Sequence, residues 1–225
     1  MTRRLAARAR AAACRGARGA CGAFSLVLVA GLAGCGASLL PKPAPPPAMY
    51  ALEDRAVTPV QPPSQAVGAR TLLVSLPQAA AGYDTRLIAF QRQAQRIEYF
   101  ADSVWVDAPA RMLAPLIARG LEGTGAFRAV LRGPSSAAAD WRLDTELVRQ
   151  SHDFSVSPSQ VHLALRAVVW DVQSRRVLAT RDFDASATSS SEDAAGGVAA
   201  AQQAAQTVAS RLAAFCAAAT RSSMP

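Results

Sequence analysis

The most regular alternation of apolar side chains in the chain is Val161-His162-Leu163-Ala164-Leu165-Arg166-Ala167-Val168-Val169. Successive side chains of a β-strand point to opposite faces, so this period of two predicts a strand with one buried face. A polar turn at 173–176 and a run at 177–185 follow, which predicts an antiparallel hairpin. Upstream, charged residues alternate with a matching set of core candidates: Trp141, Leu143, Thr145 and Leu147. Together these stretches predict a three-stranded antiparallel meander.

Further strands are expected on the N-terminal side of this meander. A short first strand lies near 50–52, and the continuous apolar run at 71–76 is typical of a buried strand. Two more strands, at 87–92 and 97–106, are joined by a polar turn. In the second of these, four residues alternate onto one face: Ile97, Tyr99, Ala101 and Trp105.

A first helix is predicted between these strands and the meander. Asp107 is the expected N-cap, and Pro109 falls in the first turn, where its missing N–H costs little. Apolar residues then recur at helical spacing: Leu113, Leu116, Ile117 and Leu121. Pro115 removes one backbone hydrogen bond, which predicts a kink or a shorter helix. Gly123 or Gly125 is expected to end it.

A second, longer helix is predicted at the C-terminal end. Serines at 189–191 precede Glu192 and Asp193, which indicates a capping box with acids at the positive end of the dipole. A stripe then recurs in steps of three and four: Val198, Ala201, Ala205, Val208, Leu212 and Phe215. Because it is mostly alanine, close packing on a sheet is favoured, with a coiled-coil dimer as the alternative. The sum is one α+β domain at 49–220, with a largely antiparallel sheet and two principal helices.

The positive charge of the chain lies mainly in its first 34 residues. The whole chain has 24 Lys and Arg against 16 Asp and Glu, a formal net charge of +8. Residues 1–34 contain no acid but hold six of the arginines: Arg3, Arg4, Arg8, Arg10, Arg15 and Arg18. The remainder is therefore close to neutral, and no nucleic-acid partner is expected for the folded domain.

An N-terminal targeting segment explains this distribution. The apolar run at 23–32 has the length of a signal-peptide core and is too short to span a bilayer. It leads into Leu32-Ala33-Gly34-Cys35, which resembles the lipobox of bacterial lipoproteins. We therefore expect residues 1–34 to be a cleaved signal peptide and Cys35 to be the site of lipid attachment. An ordinary signal peptide with an incidental cysteine is the alternative.

The acylated cysteine is followed by a proline-rich tether, and the two together cover residues 35–48. Five prolines favour polyproline II and prevent a helix or a strand ladder: Pro41, Pro43, Pro45, Pro46 and Pro47. Such a stretch is a stiff spacer between a bilayer and a domain, although it could instead be a ligand for a partner. Gly36 leaves no acid after the cysteine, which favours the periplasmic face of the outer membrane. Cys216 is expected to be buried and inert.

Few residues suggest chemistry. His152 and His162 are the only histidines, and no cluster has metal-ligand spacing, so neither a metal nor a cofactor is expected. His162 lies on the polar phase of its strand, where exposure is the simple interpretation. The adjacent triplet Ser151-His152-Asp153 cannot adopt catalytic-triad geometry. Asp144 and Glu146 share one side of a strand, as on a solvated face. No catalytic residues are therefore assigned, and the protein is not expected to be an enzyme.

Several segments, in order over residues 50–132, resemble the ABC-type transport auxiliary lipoprotein family. The helix containing Pro115 departs from the family pattern, and the chain after Leu131 matches only in outline. The segments that carry the resemblance are Tyr50-Ala51-Leu52, Thr71-Leu72-Leu73-Val74, Gly82-Tyr83-Asp84-Thr85, Ile97-Glu98-Tyr99-Phe100-Ala101-Asp102-Ser103-Val104-Trp105, Pro109-Ala110-Arg111-Met112-Leu113, Leu121-Glu122 and Phe127-Arg128-Ala129-Val130.

The resemblance implies a function without catalysis. Such lipoproteins are similar to the outer-membrane partner of MCE systems, in which an ABC transporter and an MCE subunit move phospholipids between two membranes. Tyr83, Tyr99 and Trp105 would be core and turn residues or contacts to a partner or lipid. Two alternative hypotheses remain: an outer-membrane lipoprotein that regulates cell-wall synthesis, and an anchored periplasmic hydrolase.

Overall fold

A computed structural model of the chain describes residues 45–53 and 70–221. The predicted signal peptide, Cys35 and most of the predicted tether lie outside these residues. From Pro46 onwards the chain forms one compact unit. Its elements are, in order, β1 (Ala48–Tyr50), β2 (Thr71–Val74), β3 (Gln78–Ala79), β4 (Leu87–Gln91), β5 (Glu98–Trp105), α1 (Pro109–Gly123), β6 (Ala129–Arg132), β7 (Trp141–Asp153), β8 (Gln160–Asp171), β9 (Arg176–Thr188) and α2 (Ala194–Arg221).

The described strands form one mixed sheet centred on β7. One edge of β7 pairs antiparallel with β8 along its whole length, and β8 pairs antiparallel with β9. The other edge of β7 pairs in turn with β2, β3 and β4, all parallel to it. β5 pairs antiparallel with β4. β1 pairs parallel with β5, and β6 pairs parallel with β2. The predicted α+β class, the long antiparallel ladders and the two helices are confirmed.

The buried face of the meander follows the predicted alternation. On β8 the five alternate positions are at most 2% exposed: Val161, Leu163, Leu165, Ala167 and Val169. The predicted core set on β7 is buried as well. The outer face carries charged pairs instead, such as Arg142 with Asp144 at 2.7 Å and Arg166 with Asp182 at 2.8 Å. Half-buried His162 also lies on this face, less exposed than expected, with Nε2 3.7 Å from the Asp153 carboxylate.

A β-bulge interrupts β7 between Leu147 and Arg149. Before it, odd-numbered residues face the core; after it, Gln150 and His152 are buried at 5% and 2% exposure. An extra residue in one strand of a pair shifts the alternation by one position. The bulge therefore turns two polar side chains inward at the C-terminal end of the strand.

A second irregularity corrects the prediction for β5. Its register against β4 shifts between the pairs Leu87–Val104 and Ala89–Tyr99. Trp105 is 3% exposed, whereas Tyr99 is 37% exposed, so the two do not share a buried face. The expected alternation over 97–105 is wrong because it assumes an uninterrupted strand.

Helix α1 begins one residue later than predicted. Its N-cap is Ala108, without a side-chain hydrogen bond, and Pro109 occupies the first position. Asp107, the predicted N-cap, instead accepts a 2.8 Å hydrogen bond from Arg111 Nε, and this pairing lowers the Asp107 pKa. The helix continues through Pro115 to Gly123, so the expected shortening does not occur. All four predicted core positions of α1 are buried.

Helix α2 packs its alanine-rich face on β8, β9 and α1. Within the predicted stripe Ala201, Ala205, Val208 and Leu212 are buried, and the two end positions are half-buried. The cap differs from the prediction, because the carboxylate of Asp193 accepts the Gly196 N–H at 2.8 Å. Cys216 is fully buried and forms no disulfide with any described residue, and burial raises the pKa of its thiol to about 12. Neither described helix combines the length and apolar character needed to cross a bilayer.

Candidate functional site

An open groove lies at the end of the sheet where β4 and β7 finish and β5 and β8 begin. Gln91, the last residue of β4, pairs with Asp153, the last of β7, and accepts a 2.8 Å hydrogen bond from the Phe154 N–H. These strand ends and the segment before α2 bring seven residues together. We call this surface the aromatic groove, and its lining is Phe90, Arg92, Tyr99, Phe100, Ala101, Phe154 and Glu192.

Three phenyl rings form an apolar cluster in the aromatic groove. The ring centroid of Phe90 lies 4.8 Å from that of Phe100 and 5.8 Å from that of Phe154. Phe100 and Phe154 are 6.2 Å apart. All three separations fall in the range of favourable tilted or edge-to-face pairs. Phe90 is buried while Phe100 and Phe154 are half-buried, so the cluster presents apolar surface to solvent.

Charged side chains border this cluster. The Arg92 guanidinium lies 4.9 Å from the Phe90 ring centroid, within cation–π distance. Arg92 and Arg96 also approach the Glu98 carboxylate, at 3.7 Å and 4.0 Å, yet both arginines remain about two-thirds exposed. Glu192 contributes a carboxylate to the lining. The groove therefore combines an apolar floor with ionic groups that stay in contact with water.

The three aromatic residues singled out in the sequence lie in different environments. Tyr83 and Trp105 are buried at 9% and 3% exposure, whereas Tyr99 is 37% exposed and lines the groove. The Tyr99 hydroxyl donates a 3.0 Å hydrogen bond to the Gly82 carbonyl, where a φ of +90° requires glycine. Burial raises the pKa of Tyr83, and this effect outweighs the positive charge of Arg149, which lowers that pKa. Of the three, Tyr99 is the one able to contact a partner or lipid without rearrangement.

His152 lies directly behind the aromatic groove. Its ring centroid is 4.0 Å from that of Phe154. Its Nε2 atom lies 2.8 Å from the hydroxyl oxygens of both Ser159 and Ser189. The Ser159 N–H also donates a 2.9 Å hydrogen bond to Glu192. This network ties the end of β7, the start of β8 and the segment before α2 to one buried imidazole.

The other ring nitrogen of His152 faces the first turn of α2. Nδ1 has no hydrogen-bond partner among the described residues, and a Cβ atom on Gly197 would stand 2.4 Å from it. Burial lowers the pKa of His152 below its usual value, against the opposing effect of Glu192, Asp193 and Asp153. The positive end of a helix dipole also disfavours a charged imidazole. His152 is therefore neutral at pH 7.

This serine–histidine contact lacks the arrangement of a catalytic triad. Within the described part of the chain, no carboxylate accepts a hydrogen bond from Nδ1 of His152, and Ser159 is fully buried. The Asp153 carboxylate instead accepts hydrogen bonds from the backbone and hydroxyl of Ser155. Across 45–53 and 70–221, no three His, Cys, Asp or Glu side chains are grouped to hold a metal ion. The arrangement is suited to fixing local structure beside the aromatic groove.

Neither the aromatic groove nor the His152 network was predicted from the sequence. The groove depends on β4 ending beside β7, a pairing between strands more than 60 positions apart that no local pattern reveals. One usable signal existed for the network. Gly196-Gly197 lies in the first turn of a helix rich in alanine, and paired glycines there indicate close approach by another group.

Fold and groove define a compact α+β domain with an open groove of apolar and ionic side chains at one end of its sheet. The family model of the ABC-type transport auxiliary lipoprotein component matches residues 50–213. The chain therefore belongs to this family of transport auxiliary lipoproteins. A search of curated proteins finds no significant match.

Solved structures support the fold assignment. Protein XCC0632 from Xanthomonas campestris is 24% identical, with a TM-score of 0.65, over 78% of this chain and 95% of that one. A second, uncharacterized protein is 11% identical, with a TM-score of 0.57, over 76% of this chain and 99% of that one. At these identities the similarity shows that the fold is shared.

We predict that Gly197→Ala destabilises the domain, although alanine is the better helix former. The new methyl group would overlap the His152 ring, and overpacking of this kind costs about 1–3 kcal/mol. Chemical denaturation would measure the loss, with His152→Ala as the second arm of a double-mutant cycle. Additive losses in the two single variants and the double variant would contradict the proposed clash.

We predict a pH dependence of stability that comes from His152. Its folded-state pKa lies below the unfolded value of about 6.5, so the unfolded state takes up the proton first as pH falls. Stability should therefore decline from about pH 6.5 downward, until the folded state is protonated as well. Urea denaturation between pH 5 and about 8 would measure this, and His152→Gln should flatten the slope while Phe154→Leu keeps it. An unchanged slope in His152→Gln would exclude this residue as the source.

Proposed function

We propose that this chain is a membrane-anchored, non-enzymatic accessory lipoprotein of an ABC transport system that works with an MCE-domain subunit in moving phospholipids between membranes. The observation that carries the proposal is the family match, which covers 50–213 and so nearly the whole folded domain. The groove supports it, because it offers apolar and ionic groups for binding. The described serine–histidine contact supports a role without catalysis, because its hydroxyls are buried at 8% exposure or less.

Anchoring is assigned to Cys35. The residues Leu32-Ala33-Gly34 before it are small or aliphatic and follow an apolar run, as a lipoprotein signal peptidase would require. After cleavage the cysteine would carry the lipid chains, palmitate among them, and two or more chains are needed for firm attachment. Residues 1–34 would then be lost and 35–48 would act as acylated cysteine and spacer for the domain at 49–220. Gly36 supports the periplasmic face of the outer membrane.

We predict that Cys35→Ser blocks lipid attachment and leaves the precursor uncleaved. Without the thiol there is no acceptor for the lipid, so radiolabelled palmitate should not be incorporated and the mass should still include residues 1–34. Cys216→Ala is the matched control, since it removes the buried thiol of α2 and should leave labelling intact. Palmitate incorporation equal to that of the wild type in Cys35→Ser would refute the assignment.

The transport role is tested by the partners of the acylated protein. We predict that purification from detergent-solubilised membranes after cross-linking recovers an MCE-domain subunit or an ABC transporter subunit. Cys35→Ser is the control for capture that depends on membrane attachment. Recovery of a peptidoglycan synthase alone would favour the competing role in regulating cell-wall synthesis.

A further inference from the structure

The two ends of the sheet differ in what they expose. The groove end holds the last residues of β4 and β7, the first residues of β5 and β8, and the loop at 154–159. The opposite end holds the turn at 172–175 between β8 and β9, where the Val172 N–H donates to the Asp140 carbonyl just before β7. These two ends are separated by the full length of β7 and β8.

The polypeptide enters the domain from the groove end. β1 pairs parallel with β5, with Ala48 opposite Ser103 and Tyr50 opposite Trp105. Tracing β1 backward therefore follows β5 backward, from Ser103 toward Tyr99 in the aromatic groove. β1 thus begins on its groove side and runs away from the groove.

The side chains exposed at the groove end combine apolar, aromatic and cationic groups with the carboxylate of Glu192. Ile97 and Tyr99 are each 37% exposed and Val156 is 44% exposed, all near strand ends. Arg92 and Arg96 each expose about two-thirds of their side-chain surface, and the Arg92 guanidinium lies over the Phe90 ring. Tyrosine and arginine side chains of this kind place an apolar body in a membrane interface and keep a polar tip hydrated.

We propose that the groove end is the membrane-facing surface of the domain and contacts the lipid headgroup region of the bilayer that holds the anchor. This inference rests on the proposed attachment at Cys35. The twelve residues at 36–47 span at most about 40 Å, so the domain is confined near that bilayer. The direction of β1 turns the aromatic groove toward it, Arg92 and Arg96 meet anionic headgroups, and Tyr99 and Ile97 enter the interface.

A pair of single-cysteine labels tests the orientation. Tyr99→Cys at the groove end and Val172→Cys at the opposite end replace residues of similar exposure, 37% and 44%. Cys216 is fully buried, and an acylated Cys35 has no free thiol, so an environment-sensitive dye should react selectively at the new site. The acylated full chain is reconstituted in vesicles of phosphatidylethanolamine and phosphatidylglycerol, with or without nitroxide-labelled lipid.

We expect nitroxide lipid to quench the label at Tyr99→Cys severalfold more than the label at Val172→Cys. Since the first change removes the hydrogen bond to Gly82, a second pair repeats the test: Val156→Cys at the groove end and Val177→Cys at the opposite end, 44% and 48% exposed. Equal quenching at both ends, or stronger quenching at the opposite end, would overturn the orientation.

Two further outcomes separate this inference from the proposed function. If the protein stays with the vesicles but the groove-end labels become shielded only when a transporter subunit is added, the groove binds protein and the lipid assignment is wrong. If the protein fails to stay with the vesicles and its mass shows an unmodified Cys35, the anchor itself is refuted and this inference falls with it. Stable attachment with equal quenching refutes only the orientation.

Discussion

The fold depends on one strand that serves two sides of the sheet at once. β7 pairs with β8 along its whole length, while β2, β3 and β4 divide its other edge between them. Each of these short strands pairs with only two or three residues of β7, and this pairing fixes its place in the sheet. A strand used in this way must keep its buried face continuous. The bulge between Leu147 and Arg149 shifts the alternation by one residue, so that different residues point inward after it. This shift brings His152 to the core side.

The position of His152 links core packing to the surface of the groove. Its imidazole contacts the hydroxyls of Ser159 and Ser189 on one side and stacks near Phe154 on another. Buried polar groups of this kind are stable only when they are hydrogen-bonded, so the serines and the neutral imidazole depend on one another. Because Phe154 also packs against Phe90 and Phe100, a change at the histidine should reach the floor of the aromatic groove. The same atoms that fix the start of α2 therefore fix the shape of the groove.

The sequence predicts those elements whose periodicity is local. The alternation in β8 and the three-and-four stripe of α2 identify their buried residues, because each depends only on strand or helix geometry. The cap of α1 and the faces of β5 were predicted less well. Asp107 forms an ion pair with Arg111 instead of capping, and a register shift separates Tyr99 from Trp105. The aromatic groove could not be predicted, since Phe90, Phe100 and Phe154 meet only through strand pairings that are distant in sequence.

The distribution of polarity explains why recognition is expected at an end of this sheet and not on a face. One face is covered by α1 and α2 through an apolar core. The other face carries charged side chains that largely neutralise one another, as Arg166 and Asp182 do, and such exposed pairs add little to binding when both partners are already satisfied. Accessible apolar surface beside solvent-exposed charged side chains occurs instead where strands end, around Tyr99 and Phe100. Under the proposed anchoring at Cys35, the domain would present that same end to the bilayer, because β1 begins on that side of the sheet.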